Sequence, residues 1–251
     1  MSLSKTSSGY HLRWNVILII AVLCAAFFCF GIAGAIWLSG FANQPVSPSP
    51  DTRQEDTGAV SQDWQLTLVN PTTPMEEGYE PPSLTQLRNG QSVDSRCYPN
   101  LQQMMDDCRA AGCKPLICSS YRTQQRQEEL FQEKVDSLLA QGYSSSEAQR
   151  IAGQNVALPG TSEHQLGLAV DIVDANQQVL EEDQEDTLTQ QWLLANSWKY
   201  GFILRYPQGK SDITGITYEP WHYRYVGEEI ATYIHENDLT YDEYYIMFLD
   251  K

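Results

Sequence analysis

The chain has 251 residues, of which 32 are acidic and 16 are basic, so its formal net charge is −16 at pH 7. This length allows one sizeable domain or two small ones. The negative charge excludes nucleic acid as an expected partner, because proteins that bind nucleic acid carry basic patches.

Residues 15–39 contain no charged side chain, and such a run is long enough to cross a bilayer, which takes about 20 apolar residues. Lys5 and Arg13 precede the run, and the next basic residue is Arg53. The positive-inside bias therefore predicts a cytoplasmic tail over 1–14, one transmembrane helix over 15–39, and a remainder outside the cytoplasm. A cleaved signal peptide is the alternative, although its apolar region usually spans only about 7–15 residues. We expect a single-pass protein of the cell membrane.

Residues 40–80 have the composition of an acidic linker. From 43 to 80 there are five prolines and seven acidic residues against one arginine, and few positions there suit a buried core. Within this stretch, residues 64–69 alternate apolar and polar side chains, which predicts an edge strand belonging to the folded part. The globular domain itself is expected over 81–251.

Helices open the globular domain. Apolar residues at helical spacing predict a helix over 98–111, with Gly112 as its stop: Leu101, Met104, Met105 and Cys108. A buried strand over 114–119 and a helix over 124–141 follow. Ser144 and Glu147 form the sequence pattern of a capping box, which predicts the start of another short helix.

The second half of the domain holds most of the predicted strands. They are expected over 168–173, 202–206 and 218–226, with a helix over 188–200 and one or two closing helices after 228. The acidic run 181–186 is expected to be solvated surface. Helices followed by clustered strands predict an α+β fold, with a mainly antiparallel sheet of about four strands flanked by helices.

Four cysteines lie in the part predicted to be outside the cytoplasm, where disulfides persist. They allow three pairings. A helix about 20 Å long separates Cys97 from Cys113, which is too far for a bridge. A strand returning along that helix would bring Cys118 towards Cys97, so this pair is favoured. A second zinc site formed by the thiols is the alternative.

Four polar residues in two distant segments suggest a catalytic metal site. His164 is followed seven positions later by Asp171, and Glu219 precedes His222 by three. Two imidazoles and a carboxylate can supply three of the four ligands of a tetrahedral Zn²⁺ and leave the fourth position for water. Because each ligand must approach the metal to about 2 Å, the chain must reverse after His164, and Gly167 suits that reversal. Asp171 also lies in an apolar run, where a carboxylate is costly unless it is paired or bound to a metal.

These residues belong to three motifs that occur in order along the chain. They are Ser119-Ser-Tyr-Arg-Thr123 with Gln127, Ser162-x-His164-x-x-Gly-x-Ala-x-Asp171, and Glu219-Pro-Trp-His222. Together they resemble the VanY-type D-alanyl-D-alanine carboxypeptidases. Members of this family are zinc metallopeptidases that share a fold with the D,D-dipeptidases and the amino-terminal hedgehog domain. The resemblance covers roughly residues 81–236.

The resemblance assigns a chemical role to each of the four polar residues. It implies one Zn²⁺ per chain, held by His164, Asp171 and His222. Glu219 is then the catalytic base, which takes a proton from the attacking water and returns it to the departing amine.

Four further residues are expected to contact substrate. The resemblance implies this role for Arg122, Gln127 and Ser162. The planar guanidinium of Arg122 also suits two-pronged recognition of a terminal carboxylate. Trp221 is expected to offer a flat wall to a small side chain.

The expected function is that of a membrane-anchored zinc carboxypeptidase. It would remove the terminal D-alanine from peptidoglycan stem peptides, with Glu219 activating the water. An L,D-carboxypeptidase acting on tetrapeptide stems would use the same motifs and stays open. A non-catalytic zinc-containing module that binds the cell wall is the third possibility, but a structural site has no use for the free base Glu219. We expect a monomer.

Overall fold

The computed structural model describes residues 64–250. The predicted cytoplasmic tail and membrane helix lie outside these residues. Of the helices that are described, none combines the length and the apolar character needed to cross a bilayer.

Six strands and seven helices make up the described part. The strands are β1 (Leu84–Gln86), β2 (Ser92–Asp94), β3 (Pro115–Ser119), β4 (Ala169–Asp174), β5 (Phe202–Leu204) and β6 (His222–Tyr225). The helices are α1 (Tyr98–Ala110), α2 (Gln124–Ala140), α3 (Ser145–Asn155), α4 (Leu188–Asn196), α5 (Ser211–Thr214), α6 (Glu228–Glu236) and α7 (Tyr241–Phe248). Single 3₁₀ turns lie at Trp64–Leu66, Glu163–Leu166, Glu182–Asp186 and Ser197–Tyr200.

The central sheet has four antiparallel strands in the order β3-β4-β6-β5, and β1 and β2 form a separate hairpin. β4 is an inner strand that pairs with β3 on one side and with β6 on the other. All six residues of β4 are buried, and four of them are apolar, the exceptions being Asp171 and Asp174. The predicted α+β fold with a mainly antiparallel sheet is confirmed.

Helix α1 supplies much of the core through the face predicted from its spacing. Leu101, Met104, Met105 and Cys108 are all buried, and they pack in one cluster with residues of β4, β5 and β6. Burying each such side chain contributes about 1.5–3 kcal/mol. A smaller cluster joins α2 to α3. The predicted capping box is present at the start of α3.

The strand predicted over 64–69 is wrong. Residues Trp64–Leu66 form a 3₁₀ turn, and the carbonyl oxygens of Gln65 and Thr67 accept hydrogen bonds from the Arg224 guanidinium. Those carbonyl oxygens therefore accept hydrogen bonds from a side chain, whereas in a sheet they would accept them from the backbone of a neighbouring strand. Val69 is nevertheless 1 % exposed and belongs to the core, so this segment packs on the folded domain.

The predicted disulfide between Cys97 and Cys118 is not formed, because the two thiols face different partners. The Cys97 Sγ lies 3.2 Å from the Asp94 carbonyl oxygen, and the Cys118 Sγ lies 3.5 Å from that of Asp171. All four cysteines of the described part are free thiols. Across residues 64–250 the one cluster of side chains able to hold a metal contains no cysteine, so the alternative of a thiol zinc site is also wrong.

Three predicted elements are shorter than expected. The strand predicted over 202–206 is β5, which ends at Leu204. The helix predicted over 188–200 is α4 followed by a 3₁₀ turn that ends at Gly201, whose φ of 81° suits glycine. β6 begins only at His222, because the chain turns from Glu219 to His222, whose N–H donates to the Glu219 carbonyl oxygen, and Pro220 in this turn has no N–H to give to a ladder. That turn holds Glu219 in front of the strand.

Candidate active site

Three adjacent strands align one polar residue each. Asp171 on β4 is paired in register with Ser119 on β3 and with His222 on β6. Directly opposite residues in an antiparallel pair have Cβ atoms about 4.5–5.5 Å apart. The register of the sheet therefore sets Asp171 beside His222, although the two are far apart in sequence.

His164 reaches the same place from the 3₁₀ turn that precedes β4. The turn ends at Gly167, whose φ is 72°, and a Cβ there would lie 3.0 Å from the Asp94 backbone nitrogen. The His164 Nδ1 lies 2.8 Å from the Ser120 carbonyl oxygen, to which it can only donate. This contact fixes the tautomer and leaves the lone pair of Nε2 facing Asp171 Oδ2 at 3.3 Å.

His164, Asp171 and His222 fit a zinc ion. One ligating atom from each lies within 4.8 Å of the others, and all three residues are buried. The Asp171 Oδ1 lies 3.1 Å from His222 Nδ1 but makes no hydrogen bond despite its burial. Burial opposes the charge on Asp171, yet the two histidines hold the pKa of this carboxyl well below its usual range. Two imidazoles and one carboxylate are a donor set typical of catalytic zinc.

Glu219 lies directly against these three residues. Its Oε2 is 3.4 Å from His222 Nδ1, and its side chain is 12 % exposed. Burial, together with the charge of Asp171, raises the pKa of Glu219 to about 8 against the opposing effects of His222 and Arg122. A carboxyl with this environment can both accept and return a proton near neutral pH.

Arg122 is held in a fixed orientation beside the metal-binding residues. Its Nη1 donates to Gln127 Oε1 at 2.6 Å, and its Nη2 donates to Ser119 Oγ at 2.7 Å. The Nη2 also lies 3.9 Å from Asp171 Oδ2. Gln127 is 1 % exposed and donates to the Ala157 carbonyl oxygen as well. Gln127, predicted as a substrate contact, is therefore placed behind Arg122.

One cavity of about 290 Å³ is lined by all the other predicted site residues. Ser162 and Trp221 contribute to its wall, as do Tyr206 and Ile216. A larger groove of about 690 Å³ lies between α1, β3 and the β1–β2 hairpin, and it contains none of the predicted site residues. The chemistry therefore belongs to the smaller cavity.

A buried charged cluster lies behind His222, and the sequence analysis did not predict it. Glu163 Oε1 accepts hydrogen bonds from Arg205 Nε at 2.8 Å and from Arg224 Nη1 at 2.7 Å. Its Oε2 lies 3.8 Å from His222 Nε2, and neither atom has another partner. Burial opposes the charge, but the two arginines hold the pKa of Glu163 well below its usual range. The available signal was an arginine inside β6, Arg224, and another directly after β5, Arg205, because a charge close to buried strands needs a partner.

The carboxylates around His222 affect its own charge. Burial disfavours the imidazolium, yet Asp171 and Glu163 raise the pKa of His222 to about 9. Burial lowers the pKa of His164, and Asp171 opposes this change only in part because Arg122 and His222 lower the pKa as well. The two histidines thus have different surroundings although both face Asp171.

Comparison with known proteins agrees with this geometry. Residues 90–228 match the model of the VanY family, described as D-alanyl-D-alanine carboxypeptidase. A D-alanyl-D-alanine carboxypeptidase of Enterococcus faecalis is 44 % identical over 206 residues, which cover 82 % of this chain and 74 % of the relative.

Solved structures of similar proteins have the same fold. VanYB in complex with D-alanine-D-alanine is 46 % identical, has a TM-score of 0.66, and covers 72 % of this chain and 97 % of its own. A mutant VanY D,D-pentapeptidase from a VanB-type vancomycin-resistance cassette, solved with Zn(II), has the same identity and TM-score over 72 % and 98 %. The LdcB LD-carboxypeptidase is 36 % identical, with a TM-score of 0.64 over 74 % and 87 %. This chain therefore belongs to the VanY family of D-alanyl-D-alanine carboxypeptidases and is a zinc-dependent hydrolase.

Proposed function

We propose that this enzyme removes the terminal D-alanine from peptidoglycan stem peptides at the outer face of the cell membrane. The observation that carries the proposal is the placement of Arg122. Its guanidinium lines the cavity, lies 3.9 Å from Asp171, and is already oriented by Ser119 and Gln127. A cation fixed beside the metal-binding residues suits the free carboxylate of a chain terminus, which is what a carboxypeptidase must recognise.

His164 Nε2, Asp171 and His222 Nδ1 would hold the zinc. When bound, zinc supplies a Lewis acid that polarises the scissile carbonyl and makes water more acidic. Asp171 stays ionised and offers its unpaired Oδ1, and Ser120 keeps the Nε2 of His164 available through its contact with Nδ1. Ligands oriented in this way need no rearrangement to receive the ion.

Glu219 moves the protons. Its carboxylate lies against His222 Nδ1, so a water attacking from that position is within its reach. Glu219 takes one proton from the water as the water oxygen bonds to the scissile carbonyl carbon, and the C–N bond then breaks. Glu219 then gives that proton to the nitrogen of the departing D-alanine, which leaves as a neutral amine. Burial, which raises the pKa of Glu219, makes its carboxylate a stronger base and so favours taking the proton from water.

Arg122 and the cavity wall select the substrate. The guanidinium presents donors that remain after its bonds to Ser119 and Gln127, and these meet the terminal carboxylate. Trp221 and Ser162 line the same 290 Å³ cavity, whose size suits a small terminal residue. Arg122 lies next to the proposed zinc ligands. A substrate whose terminal carboxylate binds Arg122 therefore has one residue between the cleaved bond and its C-terminus.

An L,D-carboxypeptidase is the second candidate. The 36 % identity to the LdcB LD-carboxypeptidase favours it, since that protein shares the fold with the D,D-enzymes. The two candidates differ in the residue that precedes the departing D-alanine, which is D-alanine in a pentapeptide stem and an L-centre in a tetrapeptide stem. Rates on the two stems distinguish them.

The test uses the full chain in detergent with zinc and two pentapeptide stems, one with a free terminal carboxylate and one amidated there. We expect D-alanine to be released from the free stem, and the amidated stem to react at least about tenfold more slowly, because it lacks a charged hydrogen-bond partner for Arg122. Equal rates on the two stems would reassign the enzyme as an endopeptidase. A tetrapeptide cut faster than the pentapeptide would favour the second candidate.

Membrane attachment is the other part of the proposal. The uncharged run 15–39 and the basic residues before it support one N-terminal helix with the enzyme domain outside the cytoplasm. This arrangement would hold the active site near its wall substrate.

A further inference from the structure

Helix α2 forms one wall of the active-site cavity and carries a second cation. Gln127, near its start, holds Arg122, and Leu130 and Lys134 line the cavity farther along. Residues spaced by three or four lie on the same face of a helix. The seven residues from Gln127 to Lys134 advance about 10 Å along the axis. Lys134 therefore lines the same cavity as Arg122, and its backbone lies about two helical turns beyond Gln127.

The neighbouring charges of α2 leave the Lys134 ammonium available. Arg126 binds both Glu129 and Glu133, and Gln132 donates to Asp136. Within residues 64–250, no hydrogen bond or salt bridge engages Lys134, which is half-buried. Of the described side chains that line the cavity, Arg122 and Lys134 are the two that carry a permanent positive charge.

The geometry of a carboxypeptidase decides what Lys134 can meet. If the terminal carboxylate is at Arg122, only one residue lies beyond the cleaved bond, so the rest of the stem runs outward. An extended chain advances about 3.4 Å per residue. A distance of about 10 Å along α2 therefore corresponds to about three residues before the terminal D-alanine.

The negative charge near the cavity gives a cation there a role in binding an anionic substrate. The chain has a net charge of −16, and the acidic run 181–186 follows directly after Leu180, which also lines the cavity. An anionic peptide approaching this rim meets like charge. A carboxylate paired with Lys134 would be held against that repulsion.

We propose that Lys134 is a specificity residue that binds a carboxylate on the stem about three residues before the terminal D-alanine, namely an α-carboxylate left free where that residue is joined to the next through its side chain. The inference rests on the proposed function, because it takes the direction of the bound stem from Arg122. The enzyme would then bind two carboxylates of the stem, one at its end through Arg122 and one upstream of the cleaved bond through Lys134.

The experiment compares two pentapeptide stems that differ only at that upstream residue, one with a free α-carboxylate and one with a carboxamide. The full-length enzyme is tested as native protein, Lys134→Gln, Lys134→Arg and Lys199→Gln. Lys199 is an exposed lysine outside the cavity, so its variant removes the same charge elsewhere. An acyl-D-alanyl-D-alanine without the upstream residues serves as a third substrate.

We expect native enzyme to prefer the acid stem about fivefold in kcat/KM, mainly through KM, as a partly exposed ion pair allows. Lys134→Gln should bring the ratio of acid to amide close to one. Lys134→Arg and Lys199→Gln should keep the native ratio. A native ratio near one, or a Lys134→Gln enzyme that retains the preference, would overturn the proposal. If native enzyme cleaves none of the three substrates, the proposed function itself fails, and the role of Lys134 fails with it.

Discussion

Glu163 lies behind the metal-binding site and joins it to two arginines. Its Oε2 faces the Nε2 of His222 at 3.8 Å, and its Oε1 accepts from Arg205 and Arg224. A carboxylate in this position favours a proton on the Nε2 of His222 and so leaves Nδ1 for the metal. Because Glu163 and both guanidiniums are fully buried, its negative charge also offsets two positive charges that water cannot reach.

Glu163→Gln should therefore weaken both zinc binding and the fold. Loss of an outer partner of a metal ligand typically lowers metal affinity about 10–100-fold. Removing one partner from a buried charged cluster costs about 3 kcal/mol of the free energy of unfolding. Competition with a zinc chelator measures the affinity, and urea unfolding measures the stability.

The control for Glu163 is Glu229→Gln, which makes the same chemical change on an exposed side chain of α6. That variant should match native protein in both measurements. If Glu163→Gln also matched native protein, the buried carboxylate would have no part in positioning His222.

At the scale of elements, the sequence predicted the helices and the site-bearing strands because their signals are local. The spacing of Leu101, Met104 and Cys108 is set by α1 alone, and the capping pattern of Ser144 and Glu147 needs only one helical turn. The metal-binding residues could be found because their types and spacing carry the chemistry. Asp171 in a buried strand was the clearest single sign.

The errors arose where distant residues decide the local structure. The segment 64–69 alternates like a strand, but the guanidinium of Arg224, more than 150 residues later, takes the carbonyls of Gln65 and Thr67. Gln127 belongs to a substrate motif, yet only the folded chain shows that its amide is used by Arg122 and Ala157. Neither of these contacts can be predicted from the secondary-structure propensity or the hydrophobic periodicity of the local sequence.

At the scale of the whole molecule, attachment to the membrane and the acidic charge make one joint prediction. In cells that produce the full chain, we expect the enzyme in the membrane fraction, released by detergent and retained in high salt. The reason is that the anionic surface of a membrane repels a chain with a net charge of −16, so only an apolar helix would hold it there. Enzyme recovered in the soluble fraction, or released by salt alone, would contradict the anchor.

The measurement that tests the central claim most directly is the zinc content and turnover of Glu219→Gln. Glu219 lies 3.4 Å from His222 Nδ1 and lines the cavity, whereas the other neighbouring carboxylate, Glu163, lies behind His222. The amide of glutamine keeps the shape but can neither accept nor return a proton. Glu182→Gln, a change on an exposed residue, is the control.

We predict that Glu219→Gln binds one zinc per chain, as native enzyme does, and cleaves the pentapeptide stem about 10²–10⁴-fold more slowly. Glu182→Gln should retain native turnover. A zinc-loaded Glu219→Gln enzyme with near-native turnover would contradict the account, because the proton would then be moved by another group.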